Sequence, residues 1–230
     1  MPYLALAIVA GLAAVERKGF LQAMLSRPIA LAPITGWVLG DLKGGVLLAA
    51  PLELLWLGAV NLGAALPVHE ALATAAITGG AVLSGRAMGL PVGPEIALLS
   101  TLVGIPLAVL GRSVDRFTET WNEHLADRAE RQLARGHVKA AARTNLRGLL
   151  LPFAVGAVLA PLGAALAALV VPPVLERVPD WAPLRLGFLA FAAFACAAGA
   201  RVMRARTAPG FFYAALAGAV VLGLVAGGHR

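Results

Sequence analysis

In GWVLGDLKGGVLLAAPLELLWLGAVNLGAA, residues 36–65, Asp41, Lys43 and Glu53 interrupt an otherwise apolar segment. Charged side chains at membrane depth are costly, and they persist where they face a cavity, a partner or the packed protein interior. The stretch therefore predicts a membrane protein with polar groups in its interior.

The composition of the whole chain supports this interpretation. Hydrophobic residues make up 60% of the 230 residues and charged residues 13%, and the mean hydropathy is +0.83. A chain of this length has room for about six to eight membrane segments of about 20 residues each. We therefore expect one all-α polytopic membrane domain over residues 1–230, with the apolar N-terminal stretch retained as its first span.

The net charge of +7 does not indicate a nucleic-acid-binding protein, because of where the basic residues lie. Eight of the 19 Arg and Lys residues fall in residues 111–148, where they are interleaved with Asp and Glu. Pairs such as Asp127 and Arg131 have helical spacing. This segment is predicted to be a charged, mostly helical loop that faces the cytoplasm. It either docks a partner protein or rests as an amphipathic helix on lipid headgroups.

The segment around the opening stretch predicts broken helices. Only PIALAPITGWVLG separates Arg27 from Asp41, which is too short for an ordinary span and contains Pro33. The glycines in GDLKGG favour a turn, and a second apolar arm follows that contains Pro51. Broken helices at membrane depth are tolerated where they are packed in protein or line a wet cavity. We therefore expect a re-entrant hairpin and substrate region over residues 28–66.

Two polar residues on the second arm are candidate ligands for a polar solute. Glu53 would accept hydrogen bonds from the solute, and Asn61 would lie near the same helical face if the helix continues. The alternative for Glu53 is a structural carboxylate that a lysine or backbone amides satisfy. Asp41 with Lys43 is either a pair that stabilises the turn or a further ligand contact.

The chain shows no sign of catalysis or of a bound cofactor. It contains no Walker loop, paired catalytic carboxylates, nucleophile elbow or zinc motif, and its histidines lack metal-ligand spacing. Its one cysteine, Cys196, cannot form a disulfide within the chain. We therefore predict no catalytic residue, no metal site and no cofactor.

Residues 26–67 resemble the signature region of a known family. The family is the membrane IIC component of the mannose/fructose/sorbose class of the bacterial phosphoenolpyruvate-dependent sugar phosphotransferase system. Weaker similarity appears near the C-terminus, in RA at 204–205 and FFY at 211–213. The signature elements are the pair Arg27-Pro28, the turn GxxLGDLKxG, the pair Leu52-Glu53, and NxGAA from Asn61 to Ala65.

The resemblance implies a multi-pass sugar permease subunit of the bacterial inner membrane, which is not an enzyme on its own. Such a subunit works in an oligomer with a IID membrane subunit and carries a hexose or hexosamine inward by an elevator-like movement. Cytoplasmic IIA and IIB proteins relay the phosphoryl group, and IIB phosphorylates the sugar. By motif position, the resemblance makes Glu53 and Asn61 sugar contacts, with Asp41 as a weaker candidate.

The sequence departs from the family pattern just after NLGAA. In the stretch LPVHEALAT, His69 stands where the family usually has the aspartate of a Pro-Asp pair, and Glu70 follows it. Either these two residues contact a different sugar, or the chain has lost transport and acts as a sensor or regulatory membrane protein. A third hypothesis is an ion-coupled secondary transporter in which Glu53 carries the ion.

Overall fold

The computed structural model describes residues 1–19, 23–58, 67–202, 210, 213–214 and 217–218. The regular elements in these ranges are helices, as the sequence predicts, and helical stretches within residues 94–134, 138–177 and 182–202 are long and apolar enough to cross a membrane. The all-α membrane fold is therefore confirmed, and the number of crossings stays a prediction. The helices are α1 (Pro2–Lys18), α2 (Pro28–Leu39), α3 (Leu42–Leu55), α4 (Glu70–Met88), α5 (Pro94–Ala134), α6 (Val138–Arg147), α7 (Leu150–Arg177) and α8 (Ala182–Val202).

Helix α4 lies at the centre of the bundle. Its residues from Glu70 to Gly85 are buried, and it packs against α1, α2, α3, α5 and α7. Glycines make this packing close: a Cβ added at Gly79 would lie 2.5 Å from Leu6 of α1, and one added at Gly80 would lie 2.6 Å from Ala167 of α7. Small residues let helix backbones approach in membrane proteins, where the hydrophobic effect does not drive helix association.

The predicted hairpin exists as two short antiparallel helices, α2 with 12 residues and α3 with 14. Gly40 joins them in the left-handed conformation, with φ of 90°. Gly36 and Gly45 allow close contact between the arms, since a Cβ on Gly36 would lie 2.8 Å from the Cα of Gly45. Residues 59–66 of the predicted hairpin lie outside the described residues, and its re-entrant path through the membrane stays a prediction.

The charged segment at 111–148 is helical, as expected, but it begins inside a longer element. Helix α5 has 41 residues and runs from the apolar region into the charged region without a break. No glycine or proline occurs between Arg112 and Ala134, so nothing in the sequence ends the helix there. Helix α6 then packs back on α5, and Thr144 Oγ1 donates a hydrogen bond to Gln132 Oε1 at 2.8 Å.

Candidate functional site

Glu53 lies at the open end of the α2–α3 hairpin, bonded to the start of the other arm. The Nε of Arg27 donates to Glu53 Oε1 at 3.0 Å, and Nη2 of the same guanidinium donates to this oxygen. The amide of Ile29 donates to Oε2 at 3.2 Å. Both carboxylate oxygens therefore have partners. The positive end of the α2 dipole also favours a negative charge at this position.

These contacts match the structural alternative for Glu53, with an arginine in place of the lysine. The side chains of Arg27 and Glu53 nevertheless remain 23% and 16% exposed. A polar solute could therefore reach the pair from the open end of the hairpin. The solute would accept a hydrogen bond from the guanidinium or donate one to the carboxylate. Neither charged group would have to move into lipid to make this contact.

Asp41 holds the other end of the hairpin, at the turn. Its Oδ1 accepts from the amide of Gly44 at 2.8 Å and so caps α3, and its Oδ2 accepts from the amide of Val92 at 2.9 Å. Arg86 of α4 donates to the carbonyl of Leu39 beside the same turn. Asp41 thus stabilises the turn through backbone amides and attaches the hairpin tip to the loop between α4 and α5.

His69 and Glu70 lie in a different part of the bundle, within a charge cluster that is largely buried. Arg17 at the end of α1 donates from Nε to Glu70 Oε1 at 3.2 Å and from Nη1 to Asp115 Oδ2 at 2.6 Å. The Nζ of Lys18 lies 3.2 Å from Asp115 Oδ1. We call this group the inner charge cluster; its residues are Arg17, Lys18, His69, Glu70, Asp115 and Glu119.

The imidazole of His69 caps helix α4 and is neutral. Its Nδ1 accepts from the amide of Leu72 at 3.2 Å, which places the ring proton on Nε2. Burial, together with the positive charge of Arg17, lowers the pKa of His69 to about 4. The Nε2 atom lies 3.9 Å from Asp115 Oδ1, beyond hydrogen-bond distance.

The structure therefore does not bring the described candidates to one point. Glu53 contacts Arg27, Asp41 contacts Val92, and His69 and Glu70 belong to the inner charge cluster. Asn61 lies outside the described residues. Sequence reasoning missed Arg17 and Asp115, and the signal that could have found them was that each closely follows the apolar part of its helix.

A cavity of about 440 Å³ lies next to the inner charge cluster, between the end of α1 and the helices α5 and α6. Its polar lining residues include Lys18, Asn122 and Asn145. Asn122 Nδ2 donates a hydrogen bond to the carbonyl of Gly148 at 3.1 Å. Among the residues that the structure describes, no group of three His, Cys, Asp or Glu side chains is placed to hold a metal ion. The chemistry offered by these sites is hydrogen bonding and ion pairing.

Comparison with known proteins places the chain in a family. A family model described as PTS system sorbose-specific IIC component matches residues 1–225. The chain is 36% identical over 105 residues to "Putative N-acetylgalactosamine permease IIC component 2" of Escherichia coli (strain K12), covering 46% of this chain and 71% of the relative. It is 30% identical over 136 residues to "Fructose permease IIC component" of Bacillus subtilis (strain 168), covering 59% of this chain and 46% of the relative. The chain thus spans less than half the length of that fructose permease.

Solved structures share the fold. One, titled "CryoEM Structure of Mannose Transporter ManYZ and Microcin E492 (MceA) complex", superposes with a TM-score of 0.60 at 24% identity, covering 100% of this chain and 86% of the other. A second, titled "Structure of membrane protein", has a TM-score of 0.64 at 23% identity and covers 98% and 91%. The relatives are named as permease or IIC components, which are transport subunits rather than enzymes on their own. Because the family model covers residues 1–225, this chain belongs to the family of sorbose-specific IIC components of the PTS system.

Proposed function

We propose that this chain is a single IIC permease domain that binds a hexose or hexosamine and carries it through the membrane, where a separate IIB protein phosphorylates it. One observation carries the proposal. The family-signature residues Arg27, Asp41 and Glu53 hold together the two ends of one short-helix hairpin. Broken helices of this kind form solute sites in transporters.

Within this proposal, the sugar binds at the open end of the hairpin. Glu53 and Arg27 offer an acceptor and several donors at a half-buried position, which suits the hydroxyl groups of a neutral sugar. Asn61 would add an amide from the segment beyond α3. Asp41, whose oxygens both accept from amides, would shape the site from a distance.

His69 and Glu70 take a structural role in this proposal rather than replacing the family's Pro-Asp pair as sugar ligands. His69 is 3% exposed and Glu70 is 5% exposed. The imidazole caps α4 and the carboxylate is bonded to Arg17, so a sugar would have to break contacts in the bundle interior to reach either group. The inner charge cluster then positions the start of α4.

The proposed partners follow from the family and the fold. We expect a IID membrane subunit in an oligomeric complex, cytoplasmic IIA and IIB phosphoryl carriers, and a location in the bacterial inner membrane. A solved structure with the same fold is titled as a ManYZ complex, which supports the membrane partner. The charged part of α5 with α6 is where IIB would dock, or it would rest on the headgroups.

Sugar binding to the complex of this chain with its IID subunit tests the proposal. The panel consists of mannose, fructose, sorbose and N-acetylgalactosamine. We expect saturable binding of at least one sugar, and a loss of tenfold or more in affinity for Glu53→Gln and Asn61→Ala. Glu123→Gln, which changes an exposed carboxylate on α5, is the matched control and should bind like wild type.

Uptake into vesicles that carry the full complex separates this function from its alternatives. Accumulation of sugar phosphate that depends on phosphorylated IIB supports the permease. Uptake that persists without IIB and collapses with the proton gradient would instead support an ion-coupled transporter. An assembled complex that neither binds nor takes up any sugar of the panel would support the sensor, for which the departure from the family pattern at His69 and Glu70 is the motive.

A further inference from the structure

Several hydroxyl groups in the bundle interior lack a hydrogen-bond partner among the described residues. All of them belong to side chains that are 0% exposed. By contrast, the equally buried Thr101 of α5 donates to the carbonyl of Ala97 in its own helix at 2.7 Å. Burying an unbonded hydroxyl costs free energy, so each such group needs an explanation. The unpartnered hydroxyls are those of Thr35, Thr74, Thr78, Ser84 and Ser100.

Thr74 and Thr78 share one face of α4, since they lie one helical turn apart. The other faces of α4 are covered: Ile77 lies against Gly104 of α5, and Gly79 lies against Leu6 of α1. Ala76 lies against Gly163 of α7. At about 100° per residue, Thr78 points between the α5 and α1 sides and away from α7. The remaining helices that pack on α4 are α2 and α3, so this face meets the hairpin.

Thr35 faces α4 from the hairpin side. Its neighbour Gly36 lies against Gly45 of α3, so the fully buried Thr35, rotated by about 100°, lies on a different face of α2, which also packs on α4. Leu39 lies one turn further along the same row, and its carbonyl accepts a hydrogen bond from Arg86 of α4. The interface between the hairpin and α4 thus contains unbonded hydroxyls on both of its surfaces.

The hairpin is also built from helices that deform at low cost. Pro33 has no amide hydrogen to bond the carbonyl of Ile29, and Pro51 has none for the carbonyl of Leu47. An interface with unbonded hydroxyls is less stable when closed than one whose polar groups are paired. Both features favour separation of the hairpin from α4, because water or a solute can then form hydrogen bonds with the hydroxyls.

We propose that the hairpin separates from α4 during transport and that the hydroxyls of Thr35, Thr74 and Thr78 then hydrogen-bond to the hydroxyl groups of the sugar. This inference rests on the proposed function for the identity of the solute. The opening itself rests on the unbonded hydroxyls and on the two prolines.

Thiol labelling tests the opening directly. In a Cys196→Ser background, Thr74→Cys and Thr78→Cys are treated with a small methanethiosulfonate reagent, in membranes that carry the full chain and its IID subunit. Thr101→Cys is the matched control, since that position is equally buried and its hydroxyl is bonded within its helix. We expect labelling at least tenfold faster than the control, and slower labelling when the transported sugar of the panel is present. Labelling as slow as at Thr101→Cys, or unaffected by every sugar, overturns the inference.

Isosteric valine variants supply a second test that does not depend on a reactive thiol. Thr74→Val and Thr78→Val remove an unbonded hydroxyl and keep the side-chain shape. We expect these variants to melt at the wild-type temperature or above, while sugar uptake falls fivefold or more. Thr101→Val should keep its uptake. Higher stability together with lower uptake is the signature of groups retained for function rather than for packing.

The two proposals fail separately. A wild-type complex that accumulates no sugar phosphate contradicts the proposed function, and the labelling rates still decide whether the interface opens. A wild type that transports sugar, with Thr74→Val and Thr78→Val transporting equally well, contradicts this inference alone.

Discussion

The carboxyl group of Glu53 is accommodated in an apolar hairpin because an arginine and a backbone amide donate hydrogen bonds to its two oxygens. That a carboxylate at this position needs partners is predictable from the cost of an unpaired charge in a membrane interior. The identity of the partner is not predictable, since Arg27 reaches Glu53 only when the two arms fold back on each other. The same limit applies to Arg17 and Asp115, which belong to distant segments that tertiary packing joins.

Removing the charge of Glu53 should destabilise the hairpin. We expect Glu53→Gln to lower the free energy of unfolding by about 2 kcal/mol, because the guanidinium of Arg27 loses its charged partner. Thermal unfolding in detergent measures the change. The double variant Arg27→Gln/Glu53→Gln should recover part of the loss, because it leaves no unpaired charge.

If the losses of stability of Arg27→Gln and Glu53→Gln simply add in the double variant, the two residues do not act as a pair. Glu123→Gln on the exposed part of α5 is the control, and it should stay within about 0.5 kcal/mol of wild type.

At the scale of helices, the hairpin was predictable and the length of α5 was not. Two prolines and the glycine-rich turn between Arg27 and Glu53 are enough to indicate short arms and a reversal of the chain. In contrast, the change from apolar to charged sequence at Gly111 suggested a boundary between a span and a loop. Helix propensity continues through that change, so the observed element runs on to Ala134.

A side chain between the two arms of the hairpin should force them apart. A Cβ at Gly45 would lie 2.5 Å from the carbonyl oxygen of Ala32, closer than real atoms approach. We expect Gly45→Ala to lower the free energy of unfolding by about 1–3 kcal/mol. Thermal unfolding in detergent checks this prediction. Gly210→Ala is the control, since no described residue lies within 4 Å of its added Cβ. Equal stability of both variants would mean that the arms do not pack as described.

At the scale of the whole molecule, charge and connectivity together predict an orientation in the membrane. The basic residues gather at the α5–α6 end of the bundle, whereas the ion pair of Glu95 and Arg185 lies at the other end of α5 and at the start of α8. Helix α7 connects the two ends with 28 residues, about 42 Å at about 1.5 Å per residue. The sequence alone predicts this orientation, because hydropathy and loop charge can be read from the sequence without knowing how the helices pack.

Cysteine labelling from the two sides of the membrane should show this orientation. In a Cys196→Ser background, we expect an impermeant maleimide to label Lys139→Cys only in inverted membranes. Asp180→Cys, in the short connection before α8, should be labelled only in intact cells whose outer membrane has been permeabilised. Labelling of both positions from the same side would contradict the proposed crossing of α7, and the reverse pattern would invert the topology.

The uninterrupted second half of α5 can convert a small tilt of the helix into a larger displacement at its end. The stretch from Arg112 to Ala134 contains no glycine or proline, and at about 1.5 Å per residue it is about 34 Å long. A tilt of about 10° at Asp115, where the inner charge cluster contacts the helix, would displace the far end by about 5 Å. A protein bound at the Ala134 end of α5 would then be displaced when the buried helices move.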